Sequence, residues 1–139
     1  NVLISCVDYA ILRVVTTRIV DGKGSDGEWP VRMIGATLYK CRFDWDEYLF
    51  LELNSHPARF YHILEHVKVV IFIVDCAQAA QDQKDSLELF QSVMNTVPLK
   101  KAHLLLLAID RNSQARIDKM TGQEIMEYYG LQRISNKVR

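Results

Sequence analysis

The chain has 139 residues, with Lys+Arg 17 against Asp+Glu 17 and 49% hydrophobic residues. That length fits one domain with a real apolar core, and the zero net charge excludes recognition of nucleic acid or anionic lipid through net charge. The three cysteines stand singly in apolar runs, which is typical of small buried side chains in a reducing compartment, so we expect an intracellular, cytoplasmic domain.

The first elements in chain order are a strand, a helix and a loop. Residues 2–7 form a short run of β-forming residues. Apolar residues in Ile11–Val20 recur at helical spacing, which predicts a helix although many of them are β-branched. Lys23–Pro30 is rich in glycine and is predicted to be a surface loop.

A hairpin, a helix and a buried strand follow. Ala36–Phe43 and Glu47–Leu53 are β-forming runs joined by a short connection, which predicts an antiparallel hairpin. Pro57 suits the first turn of an amphipathic helix within Asn54–Lys68. Val69–Asp75 is continuously apolar up to its last residue, as is typical of a parallel strand covered on both faces.

The second half continues the alternation of helix and strand. An amphipathic helix is predicted over Leu87–Val97 and is closed by Pro98. His103–Ile109 is predicted to be another strand buried on both faces, and Thr121 and Glu124 have the spacing of a capping box. These elements predict an α/β fold in three layers, with a mostly parallel sheet and one antiparallel edge hairpin.

The loop after the first strand is the default phosphate site of such folds, because backbone N–H groups and a helix N-terminus converge there. In this chain it runs from Cys6 to Arg13. A phosphate cradle needs glycine for close backbone approach, lysine for the outer phosphates and a hydroxyl for Mg²⁺. Residues 6–13 supply none of the three at the required spacing.

Compared with the stretch Gly-Leu-Asp-Ala-Ala-Gly-Lys-Thr-Thr, this loop keeps the aspartate as Asp8. The two glycines fall on Cys6 and Ile11, and the lysine and the Mg²⁺-binding threonine fall on Leu12 and Arg13. The stretch belongs to the Arf and Arf-like small GTPases. The order of elements in this chain resembles that family, with a degenerate phosphate loop.

Later motifs show the same resemblance and the same losses. Ile71–Asp75 is similar to the family's Ile-Phe-Val-Val-Asp strand, whereas Met33 stands where the first switch has its metal-sensing threonine. The second-switch motif Trp-Asp-Val-Gly-Gly-Gln falls on Leu51–His56 without its glycines or glutamine. The guanine-reading Asn-Lys-Gln-Asp falls on residues 109–112, which weakens base recognition because the positions carry Ile109, Asp110 and Asn112.

The resemblance implies a single, incomplete small-GTPase-like domain over residues 1–139, in a three-layer P-loop GTPase-like fold whose last strand and helix are absent from the chain. Because every nucleotide motif is altered, it implies no catalysis and no cofactor. We expect a structural or adaptor subunit that contacts protein subunits of a larger assembly, with membrane association left open. The predicted contact surface is the hairpin Ala36–Leu53 with the following helix, and its candidate residues are Tyr39, Trp45, Tyr48, His56, Arg59 and His62.

Three alternatives remain open at the level of sequence. A divergent switch protein would hold GTP and Mg²⁺ weakly through unconventional contacts. His62 and His66 fit the H-x-x-E-H pattern of zinc peptidases, although they lie away from the helix's apolar face and no third ligand stands out. Asp8 and Glu52 suggest the acidic cluster of a phosphorylated receiver domain, which also needs a lysine where this chain has Ile109.

Overall fold

A computed structural model of the protein describes residues 1–6, 8–20, 30–53, 57–77, 80–110 and 119–132. The elements in chain order are β1 (Val2–Ser5), α1 (Tyr9–Val20), β2 (Val31–Met33), β3 (Ala36–Phe43), β4 (Asp46–Leu53), a 3₁₀ segment (Pro57–Phe60), α2 (Tyr61–Leu64), β5 (Val69–Asp75), α3 (Ala80–Asn95), a second 3₁₀ segment (Val97–Lys101), β6 (His103–Ile109) and α4 (Gly122–Tyr128). The predicted α/β alternation is confirmed. The loop predicted over Lys23–Pro30 lies outside the described residues except for Pro30.

The strands form one six-stranded sheet in the order β2-β3-β4-β1-β5-β6. β1 pairs in parallel with both β4 and β5, and β5 pairs in parallel with β6. β2, β3 and β4 pair antiparallel. The sheet is therefore mostly parallel with one antiparallel edge, as the sequence predicts.

The antiparallel edge contains one strand more than the sequence indicates. The hairpin of β3 and β4 forms with the predicted strands, but β2 lies outside it and is the true edge. Three residues are too few to show a strand periodicity, so the pattern of Val31–Met33 carries no signal of its own. The chain reverses before β3 at Gly35, whose φ of 83° lies in the region that glycine adopts at no steric cost.

Helices cover both faces of the sheet. On one face, Ile11 and Leu12 of α1 belong to a buried cluster with Ile4, Phe50 and Ile73. On the other face, two clusters combine sheet residues with residues from the helical segments, namely Leu64, Val93 and Leu99 in one and Phe90, Ile125 and Tyr129 in the other. Because β1 alternates between the two faces, Leu3 and Ile4 join opposite clusters, which gives the predicted three layers.

The segment between β4 and β5 is less helical than predicted. Of the helix expected within Asn54–Lys68, residues 54–56 lie outside the described part, and the rest is a 3₁₀ segment followed by the four-residue α2. The backbone N–H of Val67 bonds to the carbonyl of Leu64 at 3.1 Å, a three-residue spacing that ends the α-helix. Lys68 then donates to the carbonyl of Asn1 at 2.9 Å, which brings the chain beside β1 at once. Within the described residues of this connection, the α-helix is therefore limited to α2.

The prediction that β6 is buried on both faces is wrong. The strand forms over His103–Ile109, but it lies at the edge of the sheet, and Leu105 is 53% exposed. An uninterrupted apolar run predicts a strand equally well at the centre or at an edge, because the run does not specify which neighbours cover it.

The capping box before α4 is confirmed. Thr121 Oγ1 accepts a hydrogen bond from the Glu124 N–H at 3.2 Å, and Glu124 Oε2 accepts one from the Thr121 N–H at 2.7 Å. Gly130 follows the helix with a φ of 65°, the conformation that ends many helices. None of the described helices has the length and apolar character required to cross a membrane.

Candidate functional site

The carboxyl ends of β1, β4, β5 and β6 meet at one edge of the sheet because these four strands run in the same direction. Ligands of open α/β sheets bind outside this edge. Four carboxylates lie on or just after these strand ends, and they are Asp8, Glu52, Asp75 and Asp110. We refer to this region as the carboxyl edge.

The N-terminus of α1 is closed by its own capping residue. The helix begins at Tyr9, four residues after β1 ends. Asp8 Oδ1 accepts hydrogen bonds from the N–H groups of Ala10 at 2.9 Å and Ile11 at 3.2 Å. A phosphate at a helix N-terminus uses these same first-turn donors. The carboxylate of Asp8 therefore occupies donors that an anion would need.

The predicted phosphate-loop positions are partly helical and partly buried. Cys6 is 1% exposed, Ile11 is 4% exposed and Leu12 is fully buried, and all three belong to the apolar cluster under α1. Ile11 and Leu12 lie in the first turn of the helix rather than in a loop. The residues that stand at the glycine and lysine positions of the Arf-like motif therefore contribute to packing.

Arg13 extends from the start of the second turn of α1 to the sheet. Its guanidinium donates a hydrogen bond to Tyr39 Oη, and its Nη1 lies 3.4 Å from Glu52 Oε1. Glu52 is 1% exposed and Tyr39 is 9% exposed, whereas the Arg13 side chain keeps 33% exposure. Burial raises the pKa of Tyr39, and the Glu52 carboxylate raises it further while Arg13 opposes the shift.

The register of the sheet places Tyr39 and Glu52 side by side. Thr37 of β3 pairs with Glu52 of β4, so Tyr39 lies two residues farther along the same face. Ile4 of β1 pairs with Glu52 on its other side, and Ile4 packs beneath α1. This face is therefore the one that α1 covers, and a buried carboxylate there requires a cation.

The cation pairs with only one of the two carboxylate oxygens. Glu52 Oε2 is buried and has no hydrogen-bond partner among the described residues. The three side chains of Arg13, Tyr39 and Glu52, hereafter the arginine cluster, thus form an internal ion pair that ties α1 to β3 and β4. Its geometry fits a structural contact better than a nucleophile with its base.

The other two carboxylates of the carboxyl edge are also bound within the chain. Asp75 Oδ1 accepts a hydrogen bond from the Ala77 N–H at 2.9 Å. Asp110 forms an ion pair with Lys119.

The predicted base motif at residues 109–112 is only partly described. Ile109, at its first position, is half-buried, and its carbonyl accepts a hydrogen bond from the Cys76 N–H at 2.9 Å. Asn112 lies outside the described residues.

No protein-family model matches this chain, and no curated protein does. Function is therefore inferred from the geometry of the carboxyl edge and of the exposed surfaces.

The predicted protein-contact residues fall into four groups. Trp45 is 97% exposed at the tip of the hairpin, and Tyr48 is 38% exposed beside it. Arg59 and His62 are exposed in the segment between β4 and β5. Tyr39 does not lie on an exposed contact surface as predicted, because it faces α1 from within the sheet and is buried in the arginine cluster. The sixth candidate, His56, lies outside the described residues.

The histidines of the H-x-x-E-H pattern lie on the surface. His62 is in α2 and His66 follows it in a turn, and both are exposed. Within the described ranges, no three His, Cys, Asp or Glu side chains are grouped so that they could hold a metal ion. The three cysteines form no disulfide, and burial raises the pKa of the Cys41 and Cys76 thiols, which disfavours their reactive thiolate forms.

Sequence reasoning identified the members of the arginine cluster but did not bring them together. The resemblance to the Arf-like motifs places Arg13 at a phosphate-loop position and Glu52 at a second-switch position, in separate parts of the sequence. A signal was present, because Glu52 stands between Leu51 and Leu53 in an apolar strand end. A charge in that position needs an opposite charge nearby, and only the fold shows that Arg13 supplies it.

Proposed function

We propose that this chain is a catalytically inactive domain of the Arf-like GTPase type that acts as a structural or adaptor subunit through protein–protein contacts. The observation that carries the proposal is the internal pairing of the carboxyl edge. Asp8 caps α1, and Arg13 binds Tyr39 and Glu52. The donors and acceptors at which such a fold would bind a nucleotide are thus used for the fold's own stability.

Electrostatics at this edge disfavour a nucleotide with Mg²⁺. When the chain is compared with the Arf-like motifs, Arg13 occupies the position of the Mg²⁺-binding threonine. Glu52 occupies the position of the second-switch aspartate. A fixed guanidinium 3.4 Å from that carboxylate repels a second cation, and Asp8 repels a phosphate approaching the helix N-terminus. Leu12 supplies no charge for the outer phosphates and is buried. The residues present do not fit a GTP–Mg²⁺ group.

The hairpin tip has the properties of a protein-contact surface. Trp45 is almost fully exposed, and tryptophan is among the residues that contribute most to binding energy at interfaces. It follows Asp44, whose φ of 54° turns the chain tightly. Glu47 bonds to Lys40 at 3.1 Å and to Arg42 at 3.0 Å across the two strands. The tip is therefore presented on an ordered hairpin, which lowers the entropy cost of binding.

Nucleotide titration tests the first half of the proposal. Fluorescent GTP and GDP are titrated against the purified protein with Mg²⁺, and thermal unfolding is followed in parallel with unlabelled nucleotide. We expect neither binding at micromolar nucleotide nor a rise in Tm, because any ligand that binds the folded state stabilises it. Micromolar binding of either nucleotide would overturn the proposal and favour the divergent switch.

A matched pair of variants tests the second half. Trp45→Ala removes the exposed ring from the hairpin tip, and Val97→Ala changes another apolar side chain that is 60% exposed outside the hairpin. Mass spectrometry first identifies the proteins that the parent chain captures. It then measures how much of each of these proteins the two variants capture. We expect Trp45→Ala to lose specific partners that Val97→Ala retains. Equal capture by both variants would exclude the hairpin tip as the contact surface.

A further inference from the structure

Basic side chains collect at the end of the sheet where β5 and β6 begin. Two segments bring them together, the turn after α2 and the second 3₁₀ segment with the start of β6, because Val67 and Leu99 lie in one buried cluster. The Lys68 carbonyl also accepts a hydrogen bond from the His103 N–H at 2.9 Å. Five side chains of these segments are exposed and are hereafter called the basic patch, namely His66, Lys68, Lys100, Lys101 and His103.

The positive charge of the basic patch is not neutralised by the part of the chain that the structure describes. The ion pairs in that part lie in the arginine cluster, on the hairpin and between Lys119 and Asp110. Glu65 is exposed next to His66 and bounds the patch on one side. The whole chain has no net charge, so the patch is a local concentration of positive charge. Such a concentration attracts an anionic partner of matching size.

The hairpin favours a narrow anionic partner over a flat one. In the register of the sheet, Val2 of β1 is level with His103 of β6 and with Phe50 of β4. β4 begins at Asp46, four residues before Phe50, so the hairpin extends about 13 Å beyond the level at which β1 and β6 begin. Its tip carries the exposed carboxylates of Asp44 and Asp46. A flat anionic surface meets this tip first and is repelled by it, whereas a single peptide segment passes beside it.

We propose that the basic patch binds an acidic segment of a partner protein. The inference rests on the proposed function as a protein-contact domain and adds to the hairpin tip a second surface with a stated partner chemistry. Alternate carboxylates of an extended segment lie about 7 Å apart on one side, so a few residues bring several negative charges to the patch. Lysine ammonium groups stand on flexible stems and adapt to carboxylates in different positions, which fits a segment that is recognised by charge.

Fluorescence anisotropy with a fluorescein-labelled glutamate decapeptide tests the proposal on the full chain. Binding is expected at about 20 mM salt and is expected to weaken steadily towards about 500 mM, because salt screens exposed charges. A serine decapeptide with the same label is not expected to bind. The variant Lys100→Glu/Lys101→Glu reverses two charges of the patch and is expected to raise the Kd of the glutamate peptide about tenfold.

A matched double variant separates the basic patch from the net charge of the chain. Arg32→Glu/Lys84→Glu changes the net charge equally at two exposed positions. Both lie away from the patch, because Arg32 pairs with Thr37 in the antiparallel edge and Lys84 lies near the start of α3. This variant is expected to raise the Kd less than about twofold, and circular dichroism verifies that both double variants fold. Equal weakening by the two double variants would overturn the proposal, as would failure of the parent chain to bind the glutamate peptide at low salt.

Two controls distinguish this surface from a membrane site and from the hairpin tip. Vesicles of equal parts phosphatidylcholine and phosphatidylserine present negative charge on a flat surface. Vesicle binding that is tighter than peptide binding, and that is lost in Lys100→Glu/Lys101→Glu, would overturn the proposal in favour of a membrane. Trp45→Ala is expected to bind the glutamate peptide as the parent chain does. Failed peptide binding would therefore exclude the basic patch alone, whereas failed Trp45-dependent capture would exclude the hairpin tip alone.

Discussion

Replacing Arg13 by methionine removes the guanidinium from the arginine cluster and keeps an unbranched apolar stem. The Glu52 carboxylate, 1% exposed, is then left without its cation. Breaking a buried ion pair costs about 3–5 kcal/mol. Because the Arg13 side chain is 33% exposed and the pair is separated by 3.4 Å, we expect a smaller loss of about 2 kcal/mol in the free energy of unfolding.

Urea denaturation followed by far-UV circular dichroism measures this loss. In thermal unfolding, the same loss is expected to lower the Tm by about 6 °C, taking about 3 °C per kcal/mol for a chain of this size. Glu52→Gln in the Arg13→Met background removes the unpaired charge and is expected to recover about 1 kcal/mol. A double-mutant cycle with the single Glu52→Gln variant isolates the pairwise energy.

Two results would refute the reasoning. One is an Arg13→Met variant within about 0.5 kcal/mol of the parent chain, which is the range of ordinary surface substitutions. The other is a double variant no more stable than Arg13→Met. Either result would mean that water satisfies the Glu52 carboxylate without Arg13, and that the arginine cluster does not anchor α1.

Three further predictions concern stability. Asp8→Ala is expected to lose about 1 kcal/mol in urea denaturation while Asp8→Asn retains most of the cap; equal losses would contradict capping. Thr121→Ala is also expected to lower the free energy of unfolding by about 1 kcal/mol and to speed hydrogen exchange of the α4 amides. Unchanged exchange of these amides would contradict the predicted role of the capping box. Folding raises the pKa of Tyr39, so its protonated side chain adds to the free energy of unfolding. This added stability is fully present below the unfolded pKa of about 10 and is lost as the pH rises through the folded pKa. Tyr39→Phe is therefore expected to show a smaller alkaline loss of stability; an identical loss would contradict this.

Local patterns predicted much of the fold. The apolar face at helical spacing correctly predicted α1, although Val14, Val15, Thr16, Thr17 and Ile19 favour strands by propensity. Burial of one face outweighs that preference, and Thr16 satisfies its hydroxyl by donating to the Leu12 carbonyl at 2.8 Å. The capping box of α4 was also predicted, because both of its partners lie within one helical turn.

Patterns failed where the answer depended on distant neighbours. β6 was correctly predicted as a strand, but its place at the sheet edge depends on the pairing of all six strands. Tyr39 was predicted at a protein-contact surface, because an alternating strand does not reveal which of its faces a helix will cover. The segment after β4 was predicted as one long helix because its apolar residues recur at helical spacing, but its described part is a 3₁₀ segment followed by the four-residue α2.

The sequence by itself determined most of the elements, their order, the neutral charge and the absence of a glycine–lysine phosphate loop in residues 6–13. Those properties depend on residue identities and on spacings within a few residues. Only the tertiary structure decided that Arg13 pairs with Glu52, 39 positions away, and that Leu105 is left exposed beside a covered neighbour. Strand order and register decide which side chains from distant parts of the sequence come into contact. The spacing of residues within one element encodes neither of them.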